Sequence, residues 1–257
     1  MLFCRRHVRY LPIFACIYGY SLSGWKRTRP LRAAYALTQA VDDLLDSDRP
    51  CAREPEEEVR EILGARDSSV LSSEDEGSKR LLRIWNFTRP HLEACGALSD
   101  FQKLADCMLL DRRRVREGLR HSESELRLHH HTVFECSANT ALKLCGFELR
   151  ARDVPGVIDE LCWVSPMRDL REDLRAGLNN LPAEIYRGQA GVTALKDPSV
   201  LRWLRKEYNA MLEAIERTEA QLLSVRGRTG AFGFRIFHRL LKSYARKYPS
   251  VYPEVFE

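Results

Sequence analysis

Apolar residues recur at three- and four-residue intervals along most of the chain, and stretches that alternate apolar with polar positions are almost absent. That period is the mark of helices that bury one face and leave the other in water. It predicts helices near 31–46, 56–64, 78–96, 99–120, 123–147, 154–177, 198–224 and 232–247. Breakers fall between them. "GARDSSVLSSEDEGSK" reads as an exposed connection, "LNNLPAEIYRGQAG" as a long loop, and "VRGRTGAFG" as the separator of the last two helices. Neither a short-period repeat nor a shift in composition divides the chain, so the expectation is one all-α domain over 1–257.

The N-terminal stretch refines that picture. Arg5, Arg6 and Arg9 precede the apolar run "LPIFACIYGY", which has the outline of a signal peptide. "SLSGWKR" follows directly, without a small-residue cleavage site, so a first helix packed on the core is expected instead. No stretch reaches the roughly 20 apolar residues of a membrane span. A hydrophobic content of 44% in 257 residues supplies a sizeable core for a soluble globular protein. The net charge of +5 suits an anionic ligand, nucleic acid or a membrane surface without choosing among them. Eight cysteines contain no C-x-x-C pair, which argues against a zinc site or a disulfide framework and for a reduced, cytoplasmic setting. There is no G-x-x-x-x-G-K-[ST] phosphate loop and no H-E-x-x-H pair.

Two acidic clusters carry the chemistry. In "QAVDDLLDSD", Asp42 and Asp46 lie one helical turn apart with Asp43 beside them. Like charges so placed repel, and burial worsens the repulsion unless a cation or a proton relieves it. The alternative is a helix end opening into solvent, because "SDRP" follows. In "MRDLREDLRAGLNNLP", Asp169 and Asp173 are again one turn apart, with Glu172 between them. Arg168, Arg171 and Arg175 could simply neutralise these acids along a solvated face. Taken together, however, the clusters match what Mg²⁺ and a diphosphate require: hard oxygen donors for the ion, with arginines for the phosphate oxygens.

At these residues the chain resembles the squalene and phytoene synthases. "AYALTQAVDDLLD" is similar to that family's A-Y-A-x-x-R-x-x-D-D-x-x-D, and "RDLREDLRAGLNNLP" to its R-D-x-x-E-D followed by leucine-proline. Weaker similarity runs through "LADCMLLD", "VFECSANTALKLCGF" and "RIFHRLL". The resemblance implies a class I isoprenoid synthase fold, a helical bundle around a central cavity. It implies Mg²⁺ as cofactor and an allylic prenyl diphosphate of the farnesyl or geranylgeranyl class as substrate, with no nucleic acid partner. Asp42, Asp46, Asp169 and Asp173 would be metal ligands, with Ser165 where the family carries asparagine. Asp43 and Glu172 would support them. Arg168 would hold diphosphate or pair with neighbouring acids, and Tyr35 would steer the leaving group or serve as a buried structural residue. The protein would work in the cytoplasm, in solution or peripheral to a membrane.

The departures shape the expected reaction. Gln39 replaces an arginine, Leu178 and Asn180 replace an arginine and a tyrosine, and Phe237 replaces a tyrosine. The chain also stops at Glu257, near the place of a final arginine-bearing helix. These changes remove groups that would hold a second diphosphate. Cyclisation of one substrate is therefore favoured over head-to-head coupling, and a non-catalytic prenyl-lipid or protein binder is the third reading. His129, His130 and His131 point to different helix faces, so a metal site there is not expected, although one of them could line the cavity. "RRRVREGLR" reads as solvated helix surface or as a phosphate contact. Trp25, Trp85, Trp163 and Trp203 read as core, with Trp163 near the second acidic helix.

Overall fold

The computed structural model describes residues 11–22, 24–45, 53–64, 76–188 and 191–257, and among them every regular element is helical. The α-helices are α1 (Leu11–Ser21), α2 (Arg29–Leu45), α3 (Pro55–Gly64), α4 (Glu76–Ala94), α5 (Leu98–Glu117), α6 (Glu123–Leu144), α7 (Pro155–Ala176), α8 (Pro198–Ser224) and α9 (Ala231–Val251). Short 3₁₀ turns lie at Ala151–Asp153, Val192–Lys196 and Pro253–Val255. The all-α expectation holds. None of these helices is long and apolar enough to cross a membrane.

The chain forms two compact units: Met1–Ser99 with Lys143–Gly146, and Asp100–Leu142 with Phe147–Glu257. In the first, α2 packs mainly on α4, and α1 and α3 pack against α2. Leu31, Ala34, Leu37, Val41, Leu44 and Leu45 form the buried stripe of α2, at the spacing that keeps one helical face inward. Leu81, Leu82, Trp85 and Leu92 answer it from α4. Trp25 corrects its sequence reading. It is 55% exposed and carries the Arg32 guanidinium 3.6 Å above its ring instead of entering the core.

In the second unit α7, α8 and α9 pack on one another around a continuous apolar core. Asp197 caps α8 by accepting from the Ser199 amide, and Pro198 takes the first helical position, where a missing N–H costs nothing. The chain after α9 folds back. Arg205 donates to the Val255 carbonyl from Nε at 2.7 Å, while Tyr208, Tyr248, Tyr252 and Phe256 form an aromatic cluster. Two contacts fix α7 against its neighbours. The Gly156 amide donates to Gln221 Oε1 at 2.9 Å. A Cβ at this position would stand 2.9 Å from that oxygen and closer still to Thr218 Oγ1, so only glycine lets α7 approach α8 here. On the other side, buried Glu160 accepts a hydrogen bond from His238 Nδ1 of α9 at 2.9 Å.

Gly156→Ala is expected to destabilise the protein by about 1–3 kcal/mol through overpacking. Thr218→Ala should recover part of that loss. Denaturant titration of both single variants and the double variant measures it, and strictly additive losses would contradict the clash.

The hydrogen bond to Glu160 raises the His238 pKa above its ordinary 6.5, against burial, with Glu219 adding to the rise. A raised value means that the folded state favours the protonated ring. The stabilisation is complete below 6.5 and is lost as pH climbs through the folded value. The stability advantage of wild type over His238→Gln should therefore be full below pH 6.5 and shrink as pH rises above it. A pH-independent difference in melting temperature would refute the pairing.

Candidate functional site

The second acidic cluster is positioned by the way α7 ends. Gly177 adopts φ 89°, a left-handed conformation that costs glycine little, and the Leu178 amide returns to the Asp173 carbonyl at 2.9 Å. This stop turns the chain immediately after the acids and delivers Asn179 and Asn180 back towards α5. There the two residues meet Arg114, which is only 2% exposed. Its Nη2 donates to the Asn179 carbonyl at 2.7 Å and to Asn180 Oδ1 at 3.2 Å, and its Nη1 donates to Asp111 Oδ1 at 2.7 Å. Asp111 Oδ2 accepts from His129 Nε2 at 2.9 Å. Burial alone would raise the Asp111 pKa, but the hydrogen bonds and charges of His129 and Arg114 hold it below the usual carboxylate range. Asn180 completes the chain of contacts by donating from Nδ2 to Asp173 Oδ2 at 2.9 Å.

Ser165, Asp169 and Asp173 follow one another at four-residue spacing along α7. Asp169 is buried and is gripped by Arg168, with Nε at 2.8 Å and Nη2 at 2.6 Å from its two oxygens. Arg168 thus pairs with the neighbouring acid, one of its two expected roles. Glu172 is exposed, and Ser165 is half-buried. Arg171 leaves the acidic cluster and pairs with Glu254. In the first unit, Asp43 is buried and Asp42 half-buried in the last turn of α2, with half-buried Tyr35 two turns earlier. Asp46 lies outside the described residues.

Among the described residues no three His, Cys, Asp or Glu side chains converge to hold an ion by themselves. Mg²⁺ does not require such a cage. It is commonly held by one or two carboxylates, with substrate phosphate and water completing the shell. Asp169 and Asp173, oriented by Arg168 and Asn180, are hard oxygen donors of that kind.

A cavity of about 370 Å³ lies in the same unit. Its walls include Trp163, Met167, Trp203, Met211, His130 and Asn180, so Asn180 touches both the cavity and Asp173. The indole N–H groups of Trp163 and Trp203, each residue only 8% exposed, have no acceptor among the described residues. At the polar edge Arg127 pairs with Glu207 at 2.9 Å. Burial and the neighbouring His129 push the His130 pKa down to about 4, against the opposing charge of Asp111. His130 is therefore a neutral imidazole at physiological pH, able to accept a proton or a hydrogen bond. Pro166, inside α7, offers no amide to the Cys162 carbonyl one turn earlier, and both residues line this cavity.

No family model, curated protein sequence or solved structure matches the chain.

Several of these residues escape sequence reasoning. The run "RRRVREGLR" conceals Arg114 among solvated arginines, and because it stands off the helical face of Phe101, Leu104 and Ala105 the period gives no sign of its burial. Asn180 registers only as a departure from the family pattern, yet it connects Arg114, Asp173 and the cavity. Histidine NMR titration should place the His130 pKa near 4, well below an ordinary imidazole. A value at or above 6.5 would contradict the burial described here.

Proposed function

We propose that the protein is a class I isoprenoid synthase of the squalene and phytoene synthase kind, acting on a single allylic prenyl diphosphate. The observation that carries the reading is Asn180, which joins the acidic face of α7 to an aromatic- and methionine-lined cavity. A diphosphate at the acids would leave its hydrocarbon chain beside Trp163, Met167 and Trp203. The volume of about 370 Å³ lies at the lower end of ligand pockets and suits one chain better than two. That agrees with the loss of arginine and tyrosine at Gln39, Leu178, Asn180 and Phe237.

Asp169 and Asp173 would hold Mg²⁺, with Glu172 and Ser165 in support; Asp42, Asp46 and Asp43 are the further residues that the resemblance implies for the ion. Bound there, Mg²⁺ would stabilise the negative charge that gathers on the departing diphosphate. Arg168 keeps Asp169 in one rotamer, and Asn180 does the same for Asp173. Breaking the carbon–oxygen bond sends its electron pair out with the diphosphate and leaves an allylic cation. An alkene of the same chain supplies the electrons for the new carbon–carbon bond, and loss of a proton restores an alkene. The indole faces of Trp163 and Trp203 suit a cation kept from water. Neutral His130 is a proton acceptor of the required kind.

With Mg²⁺, farnesyl diphosphate should be consumed to a hydrocarbon having the carbon number of the substrate, with release of inorganic diphosphate. Asp42→Asn and Asp173→Asn should each lower turnover by about a hundredfold or more while leaving the melting temperature near wild type. Gas chromatography with mass spectrometry of farnesyl and geranylgeranyl diphosphate reactions decides the matter. A dominant product with twice the carbons would replace cyclisation by head-to-head coupling, and no diphosphate release from either substrate would defeat the enzyme reading.

A further inference from the structure

The helix α9 contains five cations, Arg235, Arg239, Lys242, Arg246 and Lys247, and no acid. The formal surplus of the whole chain is +5, so this single helix carries as much positive charge as the entire protein has in excess. The charges are not spread around it. Ala231, Phe234, His238, Leu241, Ala245 and Tyr248 form the buried stripe. Phe232, Arg235, Arg239, Lys242 and Arg246 follow at three- and four-residue steps on another face.

Part of that face borders a wide, open groove of about 860 Å³ against the end of α8. Arg226, Arg235, Arg239 and Lys242 line it, with Glu219 as its one acid. Lys242 pairs with Glu219, and His238 Nε2 lies 3.7 Å from the same carboxylate. Arg226, Arg235 and Arg239 have no carboxylate partner among the described residues. Beside these cations stand two large apolar side chains. Leu223, in the last turn of α8, and Phe232, in the first turn of α9, are each 69% exposed. A water-facing helical hairpin gains nothing from displaying leucine and phenylalanine next to unpaired arginines. An anionic bilayer surface satisfies both kinds of group, taking the apolar chains among its acyl tails and giving the arginines phosphate oxygens.

We propose that the α8–α9 hairpin is a membrane-docking surface selective for anionic phospholipids. The groove receives lipid phosphates at Arg226, Arg235 and Arg239, and Leu223 and Phe232 enter the interface. Nucleic acid would use the charges but leave the aliphatic Leu223 without a partner, because base recognition on such surfaces relies on stacking. The docking surface does not depend on the chemistry proposed for the cavity.

Co-sedimentation of the full chain with vesicles tests the assignment. Binding should be strong to phosphatidylcholine mixed with phosphatidylglycerol, weak to phosphatidylcholine alone, and reduced by salt. Arg235→Glu with Arg239→Glu should lower partitioning onto anionic vesicles by about tenfold or more. Leu223→Ser with Phe232→Ser should also weaken it, and inorganic phosphate should fail to displace the bound protein. Circular dichroism and melting curves of each variant guard against misfolding. Equal binding to neutral vesicles, binding untouched by either pair of substitutions, or binding to duplex RNA in place of vesicles would overturn the proposal.

Discussion

A guanidinium withdrawn from water must find acceptors for its donors, because an unpaired buried charge costs several kcal/mol. Arg114 imposes that demand, and the surroundings of the second acidic cluster meet it at both terminal nitrogens, while its Nε has no acceptor among the described residues. Its planar fork takes one carboxylate from its own helix, one carbonyl and one side-chain amide from the turn beyond α7. The turn is thereby held to α5. Since Asn180 is among the acceptors, its amide orientation is set: the oxygen faces Arg114 and the nitrogen faces Asp173. A charge several residues away in space thus decides how a carboxylate of the acidic face is presented. His129 extends the same arrangement by occupying the other oxygen of Asp111.

α7 is the element on which these demands converge. Its first turn approaches α8 so closely that a glycine is needed at 156, and its Glu160 meets His238 of α9. Its middle lacks one helical hydrogen bond at Pro166, and its end is cut by Gly177 directly after the acids. Each feature works against a regular, freely sliding helix. Together they leave the rotation of α7 about its axis little freedom, so the cavity wall and the acidic face keep their relation to one another.

The helical architecture was legible because burial on one face writes its period into the chain. The predicted span 31–46 compares with Arg29–Leu45, 154–177 with Pro155–Ala176, and 198–224 with Pro198–Ser224. The last helix runs on to Val251, since Ala245 and Tyr248 continue its buried stripe past the predicted end at 247. Spacing also marked the acids of α7 as sharing one face. What it could not give was partnership. Arg114 and Arg113 are identical letters, but one is buried under Asn179 and the other pairs with exposed Glu117. Trp25 and Trp85 look equally apolar, yet the first is stacked beneath an arginine at the surface and the second is sealed in. Such distinctions arise from which segments meet, and meeting across many residues leaves little local trace.

The four tryptophans are distributed in a way that has an optical consequence. Trp25 stands largely in water, Trp85 is enclosed between helices of the first unit, and Trp163 and Trp203 stand in the wall of a cavity in the second. Indole emission shifts to longer wavelength as the ring meets water, so the intrinsic fluorescence is a composite of a red-shifted component and three blue-shifted ones. Occupation of the cavity touches only two of these chromophores, while unfolding of the first unit alone touches the other two. The chain therefore carries its own site-resolved spectroscopic labels, with one pair reporting the interior of the second unit independently of the first.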